Sequence, residues 1–200
     1  MICNKTDKNS LDLACDFLKN GKICILPTDT VYGFSGIVDL KTSKIFETDS
    51  KIRKIKGREE TKPLIQLISK PEDLFLYTDD KIPESLLAKW PGALTIIVNL
   101  KKDSPLFHFE PTVAFRCPGD EWLRNLIAQC GAPIFSTSVN RSGMPVLDEI
   151  EKIQDEFESE ADLIVCDGDK KGALPSTIVK IQNEDEKNCI KILRQGSVLI

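Results

Sequence analysis

The sequence predicts an α/β protein in which flanking helices pack on a twisted, largely open mixed sheet. Short β-branched runs recur along the chain, and segments with apolar residues at helical spacing lie between them without strict alternation. The chain has 200 residues, of which 41% are hydrophobic and 29% charged, so it is long enough to bury a core of its own. We therefore expect one domain over residues 1–200 and no additional C-terminal domain.

Six segments are predicted to be helical. The first begins at Ser10, which can act as its cap, and ends at Gly21. The second covers residues 40–57, and its candidate inward side chains are Ile45, Phe46, Ile52 and Ile55. The remaining helical segments begin at a proline or show apolar periodicity, and they lie near residues 71–77, 83–90, 123–131 and 148–157.

The strands are predicted from short runs of aliphatic and β-branched residues that end at turn residues. These runs cover residues 22–26, 63–69, 93–100, 112–116, 133–136, 162–166, 177–181 and 190–193. The acidic segment 183–187 joins the last two runs and is typical of a hairpin loop. Because helices and strands do not alternate strictly, the sequence favours a mixed sheet over a purely parallel one.

Composition excludes several classes of function. No apolar run reaches the roughly 20 residues of a membrane helix, and the polar N-terminus is not a secretory signal, so we expect a cytoplasmic protein without a membrane partner. Seven widely spaced cysteines and a lone histidine, His108, offer no clustered ligand set, so no protein-bound metal site is expected. A net charge of −4 argues against binding nucleic acid over the whole surface.

One segment of this acidic chain is strongly basic. Its six positive charges fall within twelve residues, at Lys51, Arg53, Lys54, Lys56, Arg58 and Lys62. Such a run is most often a solvated helix face. Here Gly57 interrupts the helix where the charges converge, and a buried strand follows. This layout can direct cations into a concave site and neutralise phosphate oxygens.

Two hydroxyl-rich segments follow predicted strands. Residues 27–33 (PTDTVYG) place two hydroxyls, a carboxylate and a phenol where open α/β sheets bind ligands, although the same letters also make a common turn. Residues 135–143 (FSTSVNRSG) place hydroxyls and an amide after another strand. These groups can hold phosphate or carboxylate oxygens, or they can cap their own backbone.

Together these segments resemble the YrdC-like family of threonylcarbamoyl-AMP synthases, in its single-domain form, over residues 21–194. Eight motifs stand in the family's order, and they begin at residues 27, 56, 62, 90, 112, 136, 175 and 192. The resemblance implies a YrdC-like fold with a positively charged concave cavity. It also implies a nucleotidyltransferase that converts L-threonine, bicarbonate and ATP to threonylcarbamoyl-AMP and pyrophosphate. The product would supply threonylcarbamoyl-transferase machinery that modifies tRNA.

The resemblance also implies roles for particular residues. The catalytic set would be Lys56, Arg58, Ser138 and Asn140. ATP, accompanied by Mg²⁺, would contact Arg58, Lys62, Thr112, Ser138, Val146 and Arg194. Threonine would contact Thr30, Leu67, Arg116, Ser136 and Ser176. Within that group Arg116 is the natural partner of the substrate carboxylate, and Leu67 stands where relatives often have histidine.

Two other functions remain open on the sequence. A basic cavity of this fold also suits a non-catalytic module that binds double-stranded RNA or tRNA, and such binding would depend steeply on salt. A relative of the same fold that transfers a carbamoyl group would accept carbamoyl phosphate in place of ATP. The complete Lys-x-Arg and Ser-x-Asn pairs favour the ATP-dependent synthase.

Overall fold

The computed structural model describes residues 1–57, 63–106, 110–184 and 187–200, without the side chains of 182–189. The strands within these ranges are β1 (Ile2–Asn4), β2 (Cys24–Leu26), β3 (Gly33–Ile37), β4 (Ile65–Leu67), β5 (Leu94–Asn99), β6 (Thr112–Arg116), β7 (Ile134–Ser138), β8 (Leu163–Cys166), β9 (Thr177–Glu184) and β10 (Lys187–Arg194). The α-helices are α1 (Ser10–Lys19), α2 (Thr48–Lys56), α3 (Glu84–Leu87), α4 (Glu121–Cys130) and α5 (Ile150–Phe157). A 3₁₀ helix covers Pro71–Leu76.

The ten strands form one mixed sheet, in the order β1-β8-β2-β3-β7-β4-β6-β5-β9-β10. Four neighbouring pairs are parallel, namely β1–β8, β2–β8, β4–β6 and β5–β9. The other pairs are antiparallel, and they include the β9–β10 hairpin. The predicted α/β class with an open mixed sheet is confirmed.

The helices divide between the two faces of the sheet. On one face, α1 and α4 bury Leu18 and Leu126 against alternate residues of the strands from β8 to β4. On the other face, α2 and α5 cover one half of the sheet, while α3 and the 3₁₀ helix cover the other half. Within the described ranges, β6, β5 and β9 contribute no side chain to the core under α1 and α4. Thr112 and Arg116 of β6, two of the predicted site residues, lie on that part of the face.

The predicted helix 40–57 is wrong in its first half, because α2 begins only at Thr48. The buried carboxylate of Asp39 accepts the backbone N–H groups of Phe46 at 2.9 Å and Glu47 at 2.8 Å. These bonds hold the chain in a non-helical path, and Glu47 takes the left-handed conformation with φ 53°. Ile45 is therefore exposed rather than inward, whereas Ile52 lies in the core as predicted.

Helix boundaries elsewhere follow side-chain chemistry. The expected cap role of Ser10 is wrong, because Ser10 is the first residue of α1 and its hydroxyl donates to the carbonyl of Lys5 at 2.7 Å. The helix predicted near 123–131 is confirmed as α4. The Asp120 carboxylate accepts the N–H of Leu123, and Gly131 ends the helix with φ 74°. No helix in the described parts of the chain is long and apolar enough to cross a membrane.

A network of charges joins β1, α4 and the segment after β8. The Lys5 ammonium contacts Asp120 at 2.5 Å and Asp167 at 3.3 Å, and Lys170 contacts Asp167 at 2.9 Å. Burial by itself raises the pKa of Asp167, but the hydrogen bond from Lys170 and the charges of both lysines outweigh it and lower the pKa. The network therefore favours the ionised carboxylate in the folded state.

We predict that the Asp167 carboxylate makes the free energy of unfolding depend on pH. Because the pKa of Asp167 is lower in the folded than in the unfolded protein, its contribution is present above the unfolded value of about 3.9 and is lost as the pH falls through the folded value. Urea unfolding at pH 7 and pH 3 measures this effect. Wild type should exceed Asp167→Asn in unfolding free energy at pH 7, and the gap should shrink at pH 3. An equal gap at both pH values contradicts the prediction.

Candidate active site

Sheet register brings two of the predicted motif segments to the same open face. Ser136 of β7 and Ala114 of β6 both pair with Ile65 of the strand between them. Directly paired residues point to the same side, and alternate residues of a strand share a side. Thr112, Ala114 and Arg116 of β6 therefore share one face with Ser136 and Ser138 of β7, about 10 Å apart across two strand spacings. A small molecule can therefore reach both segments at once.

Arg116, at the end of β6, is a buried cation on this face, with 5% of its surface exposed. Its Nε donates to the carbonyl of Gly92 at 3.0 Å, its Nη1 to the Thr30 hydroxyl at 2.9 Å, and its Nη2 to the Asp29 carboxylate at 2.6 Å. A guanidinium has five N–H groups, so one on each terminal nitrogen makes no hydrogen bond with the described residues. Such a pair suits a carboxylate, which accepts two parallel hydrogen bonds.

The hydroxyl of Thr30 is oriented by its neighbours. Thr28 donates its single hydroxyl proton to the carbonyl of Val31 at 2.8 Å. In the 2.9 Å contact between the two threonine hydroxyls, Thr30 is therefore the donor and Thr28 the acceptor. Because Thr30 also accepts from Arg116, its hydroxyl is fixed at the edge of the open face.

Lys56, the last residue of α2, lies 2% exposed against the segment that follows β7. Its ammonium donates to the carbonyl of Ser138. It also donates to two oxygens of Asn140, the carbonyl and the side-chain Oδ1, both at 2.9 Å. The ammonium also lies 5.4 Å from the centre of the Phe34 ring. All three ammonium protons therefore have acceptors in the protein, and the charge holds the 138–140 segment in place.

Asn140 likewise uses both ends of its amide within the protein. Its Oδ1 accepts from Lys56 and, at 2.7 Å, from the Ser138 hydroxyl. Its Nδ2 donates to the carbonyls of Arg141 at 2.8 Å and Met144 at 2.7 Å. Asn140 is thus the centre of the turn that presents Ser138.

Arg141 fastens the same turn to two helices. Its guanidinium donates to the carbonyl of Ile55 at 2.5 Å, forms ion pairs with Glu156 and Glu160, and lies 4.5 Å from the centre of the Phe157 ring. The next residue adds a backbone bond, from the Ser142 N–H to the carbonyl of Lys56 at 2.8 Å. The Ser-x-Asn turn is therefore bonded to the end of α2 by both side chains and backbone.

A second arginine contacts the same sheet beyond β5. Arg194 of β10 donates to the carbonyl of Ser176 at 2.8 and 3.0 Å and to its hydroxyl at 3.1 Å. That hydroxyl in turn contacts Thr95 of β5 at 2.8 Å. Burial and the charge of Arg116 lower the pKa of Arg194, so the two guanidinium groups repel each other. Within the described chain no carboxylate forms an ion pair with Arg194.

The remaining predicted site residues have different surroundings. Thr112 and Ser136 are half-buried on the open face, and Val146 is exposed on the segment after the Ser-x-Asn turn. Arg58 and Lys62 lie outside the described residues, as does His108. The side chain of Leu67, which pairs with Arg116 in the sheet, is buried in the core under α1 and α4, and its contact with threonine stays a prediction.

Three groups that shape the site are absent from the residues predicted to bind ATP or threonine. Asp29 and the carbonyl of Gly92 both hold Arg116, and Arg141 holds the Ser-x-Asn turn. Each lies inside one of the motifs that indicate the family resemblance, so these motifs were the feature of the sequence that could have identified the three groups. Side-chain partners that come from distant parts of the chain could not be assigned from the letters alone.

A cavity of about 460 Å³ lies at the other end of β3, near the ends of α1 and α4. Its wall includes Lys19, Ile37, Leu40, Lys44, Phe46 and Gly131. None of the residues predicted to bind ATP or threonine lines this cavity. The candidate site is instead the open face that carries Arg116 and Arg194.

These features define an α/β protein with a cationic, hydroxyl-rich site on the open part of a mixed sheet. The family model for Sua5/YciO/YrdC, described as "Telomere recombination", matches residues 16–196. The chain therefore belongs to the Sua5/YciO/YrdC family.

Curated relatives share one name. The threonylcarbamoyl-AMP synthase of Pyrococcus abyssi is 30% identical over 188 residues, which is 90% of this chain and 53% of the relative. The threonylcarbamoyl-AMP synthase of Bos taurus is 32% identical over 143 residues, which is 69% of this chain and 49% of the relative. The chain thus spans about half the length of these two relatives. The match to the synthase of Pseudoalteromonas translucida, at 27% identity, covers 89% of this chain and 96% of the relative.

Solved structures have the same fold. The crystal structure of P. abyssi Sua5 complexed with L-threonine superposes with a TM-score of 0.82 at 29% identity, covering 98% of this chain and 57% of that one. Escherichia coli YciO superposes with a TM-score of 0.79 at 22% identity, covering 98% of this chain and 93% of that one, and this likeness supports the fold alone.

Proposed function

We propose that this chain is an L-threonylcarbamoyladenylate synthase, a nucleotidyltransferase that acts on L-threonine, bicarbonate and ATP. The observation that carries the proposal is the geometry of Arg116. Its buried guanidinium has two N–H groups that make no hydrogen bond with the described part of the chain, and it lies beside an oriented Thr30 hydroxyl. This arrangement suits the carboxylate and a polar group of an amino acid. Relatives named for this activity, and one bound to L-threonine, support the same choice.

The reaction has two balanced steps. The threonine amine attacks bicarbonate and forms an N–C bond, which yields a carbamate anion and releases water. A carbamate oxygen then attacks the α-phosphorus of ATP, and the bond to the β-phosphate oxygen breaks, so that pyrophosphate leaves and threonylcarbamoyl-AMP remains. The second step brings two anions together, so the site must offset their repulsion.

Cationic side chains from several segments would reduce the repulsion between the carbamate and ATP. Arg116 and Arg194 repel each other in the protein alone, and an anion bound near both relieves that repulsion. By the family resemblance Arg58 and Lys62 add two more charges for ATP. Ser138, Thr112 and the backbone near Val146 would contact the nucleotide, while Ser136 and Ser176 would contact threonine.

Lys56 and Asn140 would act by positioning rather than by contact with substrate. Their hydrogen-bonding groups are occupied by the 138–144 segment, so they hold the Ser138 hydroxyl at a fixed place on the open face. Such pre-organisation lowers the entropy cost of bringing carbamate and phosphate together.

ATP would enter as its Mg²⁺ complex. The described part of the site offers hydroxyl, amide and guanidinium groups, and its one carboxylate, Asp29, is bonded to Arg116. This set fits an ion held by phosphate oxygens and water, which is how Mg²⁺ usually accompanies nucleotides. The adenylate product would pass to threonylcarbamoyl-transferase machinery acting on tRNA.

Pyrophosphate release tests the proposal directly. The purified chain should release pyrophosphate from ATP and form threonylcarbamoyl-AMP, detected by mass spectrometry, only when both L-threonine and bicarbonate are present. Release that is unchanged when either is omitted contradicts the proposal. Salt-dependent tRNA binding without turnover would favour the RNA-binding alternative, and turnover of carbamoyl phosphate in place of ATP would favour a carbamoyl-transferring relative.

A further inference from the structure

We infer that Asp29 is a positioning residue for amino-acid recognition, because its carboxylate fixes the plane in which Arg116 presents the two N–H groups that no described residue binds. The inference rests on the proposed function and deepens it. Asp29 is the carboxylate of the 27–33 segment, and no local pattern predicts its bond to Arg116.

Three segments hold the guanidinium of Arg116, one at each nitrogen. The Gly92 carbonyl binds Nε, the Thr30 hydroxyl binds Nη1, and the Asp29 carboxylate binds Nη2 at 2.6 Å. Three contacts in different directions define both the position and the plane of a rigid, planar group. Asp29 makes the shortest of them and the one between opposite charges, so it restrains the outer end of the fork most strongly.

The side chain of Asp29 has close neighbours on two sides. A Cβ added to Gly119, in the segment between β6 and α4, would lie 2.9 Å from the second carboxylate oxygen. The nearby cation Lys5 is directed instead at Asp120 and Asp167. Within the described residues, Arg116 is the one cation in an ion pair with Asp29. The carboxylate is thus set against Gly119 on one side and Arg116 on the other.

One N–H group on each terminal nitrogen of Arg116 makes no hydrogen bond with the described residues and is left for a substrate. Asp29 uses one of the two N–H groups on Nη2, and Thr30 uses one of the two on Nη1. The remaining pair can bind both oxygens of an amino-acid carboxylate in parallel. Without Asp29 the guanidinium keeps its contacts with Gly92 and Thr30 but loses the one at Nη2, so that nitrogen can shift and the paired N–H groups no longer match the substrate.

Calorimetry and steady-state kinetics on variants test this role. Asp29→Ala removes the restraint. Gly119→Ala pushes the carboxylate from the opposite side without changing any charge, at a backbone position that alanine can adopt. Asp12→Asn is the matched control, because Asp12 is exposed on α1 and contacts Gln129. Circular dichroism at the assay temperature verifies that each variant is folded.

We expect Asp29→Ala to weaken L-threonine binding and raise its KM about 10-fold or more, which is about 1.4 kcal/mol, with kcat and the KM for ATP within about threefold of wild type. Gly119→Ala should shift the KM for threonine in the same direction, and Asp12→Asn should not. A folded Asp29→Ala protein that binds threonine as tightly as wild type overturns the role of Asp29 alone. A wild-type protein that binds no threonine overturns the proposed function.

Discussion

Replacing Lys56 with methionine is expected to abolish threonine-dependent pyrophosphate release, with a loss of at least about 100-fold in kcat/KM. Methionine fills a similar volume beside Phe34, but it donates no hydrogen bond. The carbonyls of Ser138 and Asn140 and the side-chain oxygen of Asn140 would each lose a donor. Because each unsatisfied buried acceptor costs about 1–3 kcal/mol, with water able to restore part, we also expect a loss of about 2–4 kcal/mol in unfolding free energy.

Lys54→Met is the matched control for this change. Lys54 lies on the same helix but is exposed, so its loss should leave activity within about twofold and change stability by less than about 0.5 kcal/mol. Assays at a temperature where both variants are folded separate the two effects. A folded Lys56→Met protein with wild-type kcat/KM would show that the ammonium does not position the Ser-x-Asn turn for catalysis.

Replacing Arg116 with lysine is expected to weaken L-threonine binding by at least about 10-fold, or about 1.4 kcal/mol, while charge is conserved. Lysine carries a point charge without the planar fork. It cannot hold Gly92, Thr30 and Asp29 at once and also present two parallel N–H groups. The KM for threonine should therefore rise more than the KM for ATP.

Arg124→Lys provides the comparison. Arg124 also forms hydrogen bonds in the segment after β6, to the carbonyls of Pro118 and Gly119, but it makes none with Thr30 or Asp29. Its KM for threonine should stay within about twofold of wild type. If Arg116→Lys and Arg124→Lys change threonine affinity equally, the fork of Arg116 has no special part in recognition.

Much of the fold followed from periodicity, because buried strands such as β5 and β6 have apolar sequences that end at turn residues. The strands β1 and β3 were not predicted, because the pattern of strand-forming residues is weak in both. β1 is a three-residue edge strand, and β3 contains two glycines. At one of them, Gly33, a Cβ would lie 2.6 Å from the Ser136 hydroxyl, so close packing against β7 takes the place of β-propensity. α2 begins late because Asp39 binds the backbone N–H of Phe46 ahead of it. The apolar periodicity of a helix does not indicate such a bond.

The motifs located the site better than they assigned its parts. Thr30, Arg116 and Ser136 lie near one another because the sheet order places β7, β4 and β6 side by side. No local pattern in the sequence indicates this order. Lys56 and Asn140 had been assigned to catalysis by resemblance, yet their hydrogen bonds go to the protein itself. Sequence identifies which side chains matter, whereas the partners of each side chain depend on contacts between distant segments.

We expect the open face between β7 and β9 to bind an amino acid through Arg116, and a crystal structure of this chain with L-threonine would reveal this contact. The substrate carboxylate should lie within hydrogen-bond distance, about 2.7–3.1 Å, of both terminal nitrogens of Arg116, with Thr30 also in contact. Threonine bound elsewhere, or a saturated crystal with no threonine at Arg116, would contradict a role for Arg116 in binding the substrate carboxylate.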